Sequence, residues 1–278
     1  MFKHCINMEL IKTTTSWGNS AGVLLPREWK NKEVKIILID RTSQVKKEIF
    51  DILNSYLDDI IGIYLVGSYA RNEQTQKSDI DLLVITNKIN KRIERGKYSI
   101  ILIPEEKIKK QLERNILPLL PMLKEAKPIL NAPLIEGYKE TRLTKKNIKW
   151  HIDTTKSAMN VVKASIKVSK EIGINESDAS AYSLILRLRT LYIIDCLKNN
   201  KIWTKKDFLR LVKKIAGSLI SYEEYLRVKA GNKKIRDKLP LKEAENLMNY
   251  NNKKIREIEK WVKEKKIRKT KRRFIGAG

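Results

Sequence analysis

Apolar residues recur along the chain with three different rhythms. Between residues 8 and 40 they come in short runs: Glu9-Leu10-Ile11-Lys12, Gly22-Val23-Leu24-Leu25-Pro26 and Val34-Lys35-Ile36-Ile37-Leu38-Ile39. Turn residues such as Gly18-Asn19 separate them, so they predict short strands. From about Ser43, the residues Val45, Ile49, Ile52, Leu53 and Tyr56 are spaced as on one face of a helix. A strand is then predicted over Ile60 to Val66 and a helix from Ser68 to about Glu73. Further strands are predicted over Ile80 to Ile85 and Tyr98 to Ile103, and a helix over Glu105 to Arg114. Pro118, Pro121, Pro128 and Pro133 punctuate a connector in which no helix can run long. From about Leu143 the pattern is wholly helical. Residues 146–172 form one long helix, and Tyr182 to Leu197 is apolar on nearly all sides, as the buried helix of a bundle is. Ile255, Ile258, Trp261 and Val262 mark a last helix that runs into a basic tail. The fold class is therefore α/β: a mixed sheet with helices over 43–140, preceded by a small β-hairpin domain over 1–42 and followed by an α-helical bundle over 141–278.

Charge changes this picture more than composition does. Lys and Arg number 59 against 32 Asp and Glu, a formal net charge of +27. Such an excess attracts polyanions, so RNA, DNA and nucleotides are expected partners; the bland alternative is a generally basic composition. Cys5, Cys196, His4 and His151 have no spacing that makes a zinc site or a disulfide framework, and a reducing cytoplasm is the expected setting. No apolar run reaches the roughly 18 residues of a membrane span, and no signal-peptide pattern opens the chain, so no membrane partner is expected. Met8 heads a tidier start, Met-Glu-Leu-Ile-Lys.

The candidate chemistry lies between two of the predicted strands. Gly67-Ser68-Tyr69-Ala70-Arg71 follows the first, and Asp79-Ile80-Asp81 opens the second. Gly67 lets the backbone approach a phosphate. Ser68 stands where a helix begins, with free N–H groups and its own hydroxyl as donors. Asp79 and Asp81 are two apart on a strand, so both carboxylates face one side. Two such charges are costly unless a cation sits between them, and Mg²⁺ is the natural one because it takes carboxylate and phosphate oxygens together. Arg71, one turn after Ser68, reads either as a phosphate contact or as half of an ion pair.

These residues resemble the signature of the polymerase-beta-like nucleotidyltransferase superfamily: Gly-Ser, then an Asp-x-Asp strand. The similarity is greatest to the minimal nucleotidyltransferases, which also carry Ala-Arg after Gly-Ser-x, and it covers residues 45 to 110. The resemblance implies a transferase that moves a nucleoside monophosphate from a Mg²⁺-bound triphosphate, ATP or another NTP, to a hydroxyl of a protein or RNA acceptor, with an antitoxin-like role as one form of this. It implies Asp79 and Asp81 as catalytic and metal-binding residues, and Gly67, Ser68 and Arg71 as nucleotide-binding residues. Two departures stand out. The family usually has Gly after the Arg, where this chain has Asn72. The family also usually places a third carboxylate on a following strand, but residues 97–103 contain no acid. Glu94, Glu105 and Glu106 flank that strand, and Glu223 and Glu224 in the helical segment are further candidates for a base. Loss of a general base costs a factor of roughly 10² to 10⁴ in rate.

The flanking segments add partners. Residues 16–29, with Gly18-Asn19-Ser20 followed by a strand ending at Pro26, resemble the AbrB and MazE-like swapped-hairpin domains, which dimerise and often bind DNA. A homodimer that contacts DNA through this segment and the tail follows from the resemblance. Strands this short cannot bury a face alone. Arg187 and Arg189 interrupt the most apolar helix and either face a cleft or pair within the bundle with Asp195 or Asp178, the latter being favoured. Lys253 to Arg273 holds twelve basic and three acidic residues, a basic helix suited to phosphates or a solvated helix face. The helical segment resembles the bundles that follow this domain in aminoglycoside nucleotidyltransferases, or the HEPN partners of minimal nucleotidyltransferases; an Arg-x4-6-His ribonuclease motif is absent, so no RNase activity is expected. The competing reading is a non-catalytic, nucleotide-sensing, DNA-binding dimer, favoured by the missing third acid and opposed by the intact Gly-Ser and Asp-x-Asp elements.

Overall fold

A computed structural model describes residues 14–34, 42–76, 78–232 and 238–275, with Leu10 and Lys12, and their side chains other than those of residues 42, 43 and 265–275. The predicted strands over residues 9–12 and 34–39 lie wholly or mostly outside these residues, as do Cys5, His4 and the side chains of the tail. The chain divides into two compact units, Met1–Lys47 and Glu48–Gly278.

In the first unit, β1 (Thr15–Trp17) pairs antiparallel with β2 (Ser20–Gly22) across the turn Gly18-Asn19. Gly18 takes φ +60, as a tight two-residue hairpin requires. The strand predicted over Gly22 to Pro26 is displaced to Ser20–Gly22, because its partner offers only three residues to pair with. The Trp17 ring covers Gly22, where a Cβ would lie 2.6 Å from it. A 3-10 turn follows over Arg27–Trp29.

Helix α1 (Thr42–Leu53) leads through a 3-10 stretch into β3 (Ile60–Val66), the one-turn α2 (Gly67–Ala70) and β4 (Ile80–Thr86). β5 (Lys91–Arg95) and β6 (Tyr98–Pro104) form a hairpin, followed by α3 (Glu105–Arg114), α4 (Leu120–Glu125), β7 (Lys127–Leu130) and α5 (Ala132–Lys139). The sheet order is β5-β6-β4-β3-β7, with β4 and β6 parallel and every other pair antiparallel. Leu82 to Ile85 are all fully buried, so both faces of the sheet are covered. The proline-rich connector does hold structure. Proline stands in the first turn of α4 and of α5, where its missing N–H costs nothing, and β7 is an edge strand that tolerates Pro128.

The rest is helical: α6 (Lys145–Ile172), α7 (Asp178–Lys198), α8 (Lys205–Ala216), α9 (Ile220–Lys229) and α10 (Leu241–Ile275). Sequence sets the boundaries. Thr144 and Asn147 make a reciprocal capping box at the start of α6, and Gly173 ends it at φ 72. Ser177 and Thr204 cap α7 and α8. The core is continuous from Tyr64, Leu83 and Ile85 of the sheet through Ile148, Leu184 and Leu188 to Ile258 of α10. The bundle thus packs on the sheet face to which Asp81 also belongs, since Asp81, Leu83 and Ile85 alternate along one side of β4.

Candidate active site

β3 delivers Gly67 to the end of the sheet at φ +70, a backbone state that glycine adopts without strain. Val66 pairs with Asp81 on β4, and the neighbouring Gly67 is packed against that carboxylate: a Cβ at Gly67 would lie 2.1 Å from Asp81 Oδ2. The glycine therefore both turns the chain and makes room for Asp81. Ser68 is the second residue of α2, and its hydroxyl has no protein partner among the described residues. The predicted helix to Glu73 ends early, at Ala70. Asn72 takes the left-handed conformation at φ 57, and Glu73 N–H reaches back to Ser68 O at 2.9 Å, closing the turn. Asn is the next best residue to glycine there, so the turn survives the departure from the family pattern.

Asp79 is exposed just ahead of β4, and Asp81 is half-buried. Burial raises the Asp81 carboxyl above its ordinary value, and the nearby charge of Asp79 raises it further; Arg71 and Arg92 pull it down. Two oxygen donors in mutual repulsion fit a hard divalent cation. Among the described residues, no group of three or more His, Cys, Asp or Glu converges enough to hold an ion by itself. Phosphate and water oxygens would have to complete such a coordination.

The sheet register aligns an acid from an unpredicted strand with Asp81. Asp81 on β4 pairs with Ser99 on β6, and Ser99 pairs with Glu94 on β5. The three side chains are in line on one face. Ser99 Oγ donates to Glu94 Oε1 at 3.1 Å and accepts from Arg92 Nη2 at 3.2 Å. Hydrogen bonds from Arg92 and Ser99 hold the Glu94 carboxyl below its ordinary value. The signals for β5 were the alternation Arg92-Ile93-Glu94 and the turn glycine Gly96, at φ 56.

Arg71 is held within the protein. Its Nη1 meets Glu125 at 2.7 Å and its Nε meets Glu73 at 2.9 Å, and its guanidinium lies 4.3 Å from the Trp203 ring. Glu125 is buried and also accepts Gly67 N–H at 2.8 Å. Burial raises its carboxyl despite Arg71 and Gly67. Arg189 reaches the same Trp203 ring at 4.9 Å, and Lys205 N–H donates to Glu73 at 3.0 Å, so the α7–α8 connection is tied to the glycine turn. Glu125 and Trp203 were not singled out from sequence, because nothing local marks a partner more than fifty residues away.

The helical candidates fall elsewhere. Glu224 is buried in an ion cluster with Arg227 and Asp178, and Glu223 is exposed on α9. Arg187 pairs with neither Asp195 nor Asp178: it donates to Thr154 Oγ1 at 3.2 Å, and Asp178 is taken by Arg227. The reason is register on α7, where Asp178 lies in the first turn and meets Arg227 of α9, while Arg187 faces α6.

Residues 46–149 match the family model described as Nucleotidyltransferase domain. These residues form a nucleotidyltransferase domain. The chain thus carries the catalytic module of a transferase of phosphorus-containing groups. Among solved structures, the chain is similar to a nucleotidyltransferase-like protein from Exiguobacterium sibiricum 255-15, at 14% identity over 77% of this chain and 74% of that one, with a TM-score of 0.39. It is likewise similar to a spectinomycin adenyltransferase from Enterococcus faecialis solved with ATP and spectinomycin, at 16% identity over 77% of this chain and 99% of that one, with a TM-score of 0.39. No curated protein matches the chain. Among the described residues, no helix is long and apolar enough to cross a membrane.

Proposed function

We propose that the nucleotidyltransferase domain moves a nucleoside monophosphate from a Mg²⁺-bound NTP, ATP first among them, to a hydroxyl on an RNA or protein acceptor. The observation that carries this is the Asp81 carboxylate packed on Gly67 with Asp79 beside it. Asp79 and Asp81 would hold the cation, which would neutralise triphosphate charge. Gly67 and Ser68 receive the phosphates. Arg71 fixes the turn that presents them, through Glu125 and Glu73. The acceptor hydroxyl gives its proton to Glu94 as its oxygen bonds to the α-phosphorus; the bond from that phosphorus to the bridging oxygen breaks, and pyrophosphate leaves. A protein acceptor that is a partner toxin would make the role antitoxin-like.

The test follows label from each α-labelled NTP with Mg²⁺ into total RNA and protein. Incorporation is expected, and it is expected to vanish in Asp79→Asn/Asp81→Asn. Retained transfer in that double variant would remove the assigned site.

A second feature favours a dimer. The three-residue strands of the hairpin leave Trp17 64% and Leu24 68% exposed. A second copy that exchanges hairpins would cover them.

A further inference from the structure

A basic cavity of about 570 Å³ lies between the α4–α5 region and the junction of α7 with α10. Its wall carries Lys124, Lys139, Arg142, Lys198, Lys201 and Trp261. Five cations there outnumber two carboxylates, Glu136 and Glu140. Glu136 is paired with Lys139, whereas Lys124, Arg142 and Lys201 have no carboxylate partner among the described residues. Lys198 Nζ lies over the partly buried Trp261 ring, 5.6 Å from its centroid, so a cation and an aromatic ring meet on this wall. A nucleotide unit in a strand asks for this combination: cations for its phosphate and an aromatic face for its base. The volume suits one or two such units, being within the roughly 300–1,000 Å³ of ligand sites. A small polycationic acceptor would be repelled here.

The cavity is joined to the catalytic turn by two adjacent pairs of residues. Lys124 precedes Glu125, whose carboxylate accepts Gly67 N–H. Ile202, on the cavity wall, precedes Trp203, whose ring meets Arg71. We infer that this cavity binds single-stranded RNA as the acceptor strand of the transferase. The acceptor role rests on the function proposed above; the binding itself does not.

The experiment measures binding of a fluorescein-labelled, single-stranded RNA of about 12 nucleotides to the full chain without NTP, across a salt series. Lys124→Glu/Arg142→Glu/Lys201→Glu is compared with Lys163→Glu/Lys213→Glu/Lys214→Glu, which makes the same charge change on exposed positions outside the cavity. The cavity variant is expected to lose at least tenfold in affinity, and its salt slope to fall by about 2, three phosphate contacts at about 0.7 each. The outside variant should stay within about threefold. Lys124→Gln/Lys201→Gln, milder for folding, should show the same loss in smaller measure, and Trp261→Ala should weaken binding further. Equal losses in both triple variants, no loss in the cavity variant, or wild-type binding weaker than about 100 µM would overturn the inference. Binding of Mg·ATP and label transfer are read separately. Asp79→Asn/Asp81→Asn that transfers normally but binds RNA defeats the catalytic reading alone, and cavity variants that transfer to RNA and bind it normally defeat this one alone.

Discussion

Single residues of this protein carry opposite kinds of information. Gly67 and Asn72 are legible from sequence because their backbone role is local: one turns the chain at φ +70, and the other holds φ 57. His151 is not legible in this way. It is buried against Arg187, with its Nε2 unpartnered, and burial, helped by the Arg187 charge, lowers its pKa to about 4. The folded imidazole therefore stays neutral down to about pH 4, while the unfolded one takes a proton near pH 6.5. Its contribution to stability is present above pH 6.5 and is lost as pH falls towards 4, by up to about 3 kcal/mol. Thermal unfolding of wild type and His151→Leu between pH 4.5 and 7.5 measures this. The variant should show a flatter dependence, and parallel curves would refute the assignment.

At the scale of elements, β5 is the piece on which the proposed proton transfer depends. It exists because Gly96 turns the chain at φ 56 and because β6 has a free edge to pair with. Its register puts Glu94 two strands from Asp81 on the same face, where Ser99 stands in the intervening position. Periodicity alone reads residues 91–95 as polar, since only Ile93 is apolar, and that is why the strand is missed. If Glu94 takes the acceptor's proton, Glu94→Gln should lower the transfer rate by roughly 10² to 10⁴ while the KM for Mg·NTP changes only a few-fold. Steady-state kinetics decides: an unchanged rate removes Glu94 from the reaction, and a rise confined to KM makes it a binding residue.

At the scale of the whole molecule, the Glu48–Gly278 unit is built on one core that runs from the sheet into the bundle. The Met1–Lys47 unit has no comparable core in its described residues, and its apolar side chains at Trp17, Leu24 and Leu25 are exposed. A hairpin of three-residue strands is marginal alone. The full chain should therefore run as a dimer by light scattering at micromolar concentration, and Trp17→Glu should shift it towards monomer. A wild-type monomer at about 50 µM would rule out the hairpin exchange.

The sequence by itself determined what depends on neighbours within a few residues. Gly67-Ser68 and Asp79-x-Asp81 identified the transferase domain, and helical spacing identified the bundle. Tertiary structure alone decided what depends on distant partners. It committed Arg71 to Glu125 and Trp203, aligned Glu94 with Asp81, gave Asp178 to Arg227 rather than Arg187, and gathered five cations around one cavity. The physical reason is range. Backbone conformation and amphipathic pattern are set by steric and hydrophobic preferences along the chain, whereas the state of a charged side chain is set by the charges and the burial that folding brings to it.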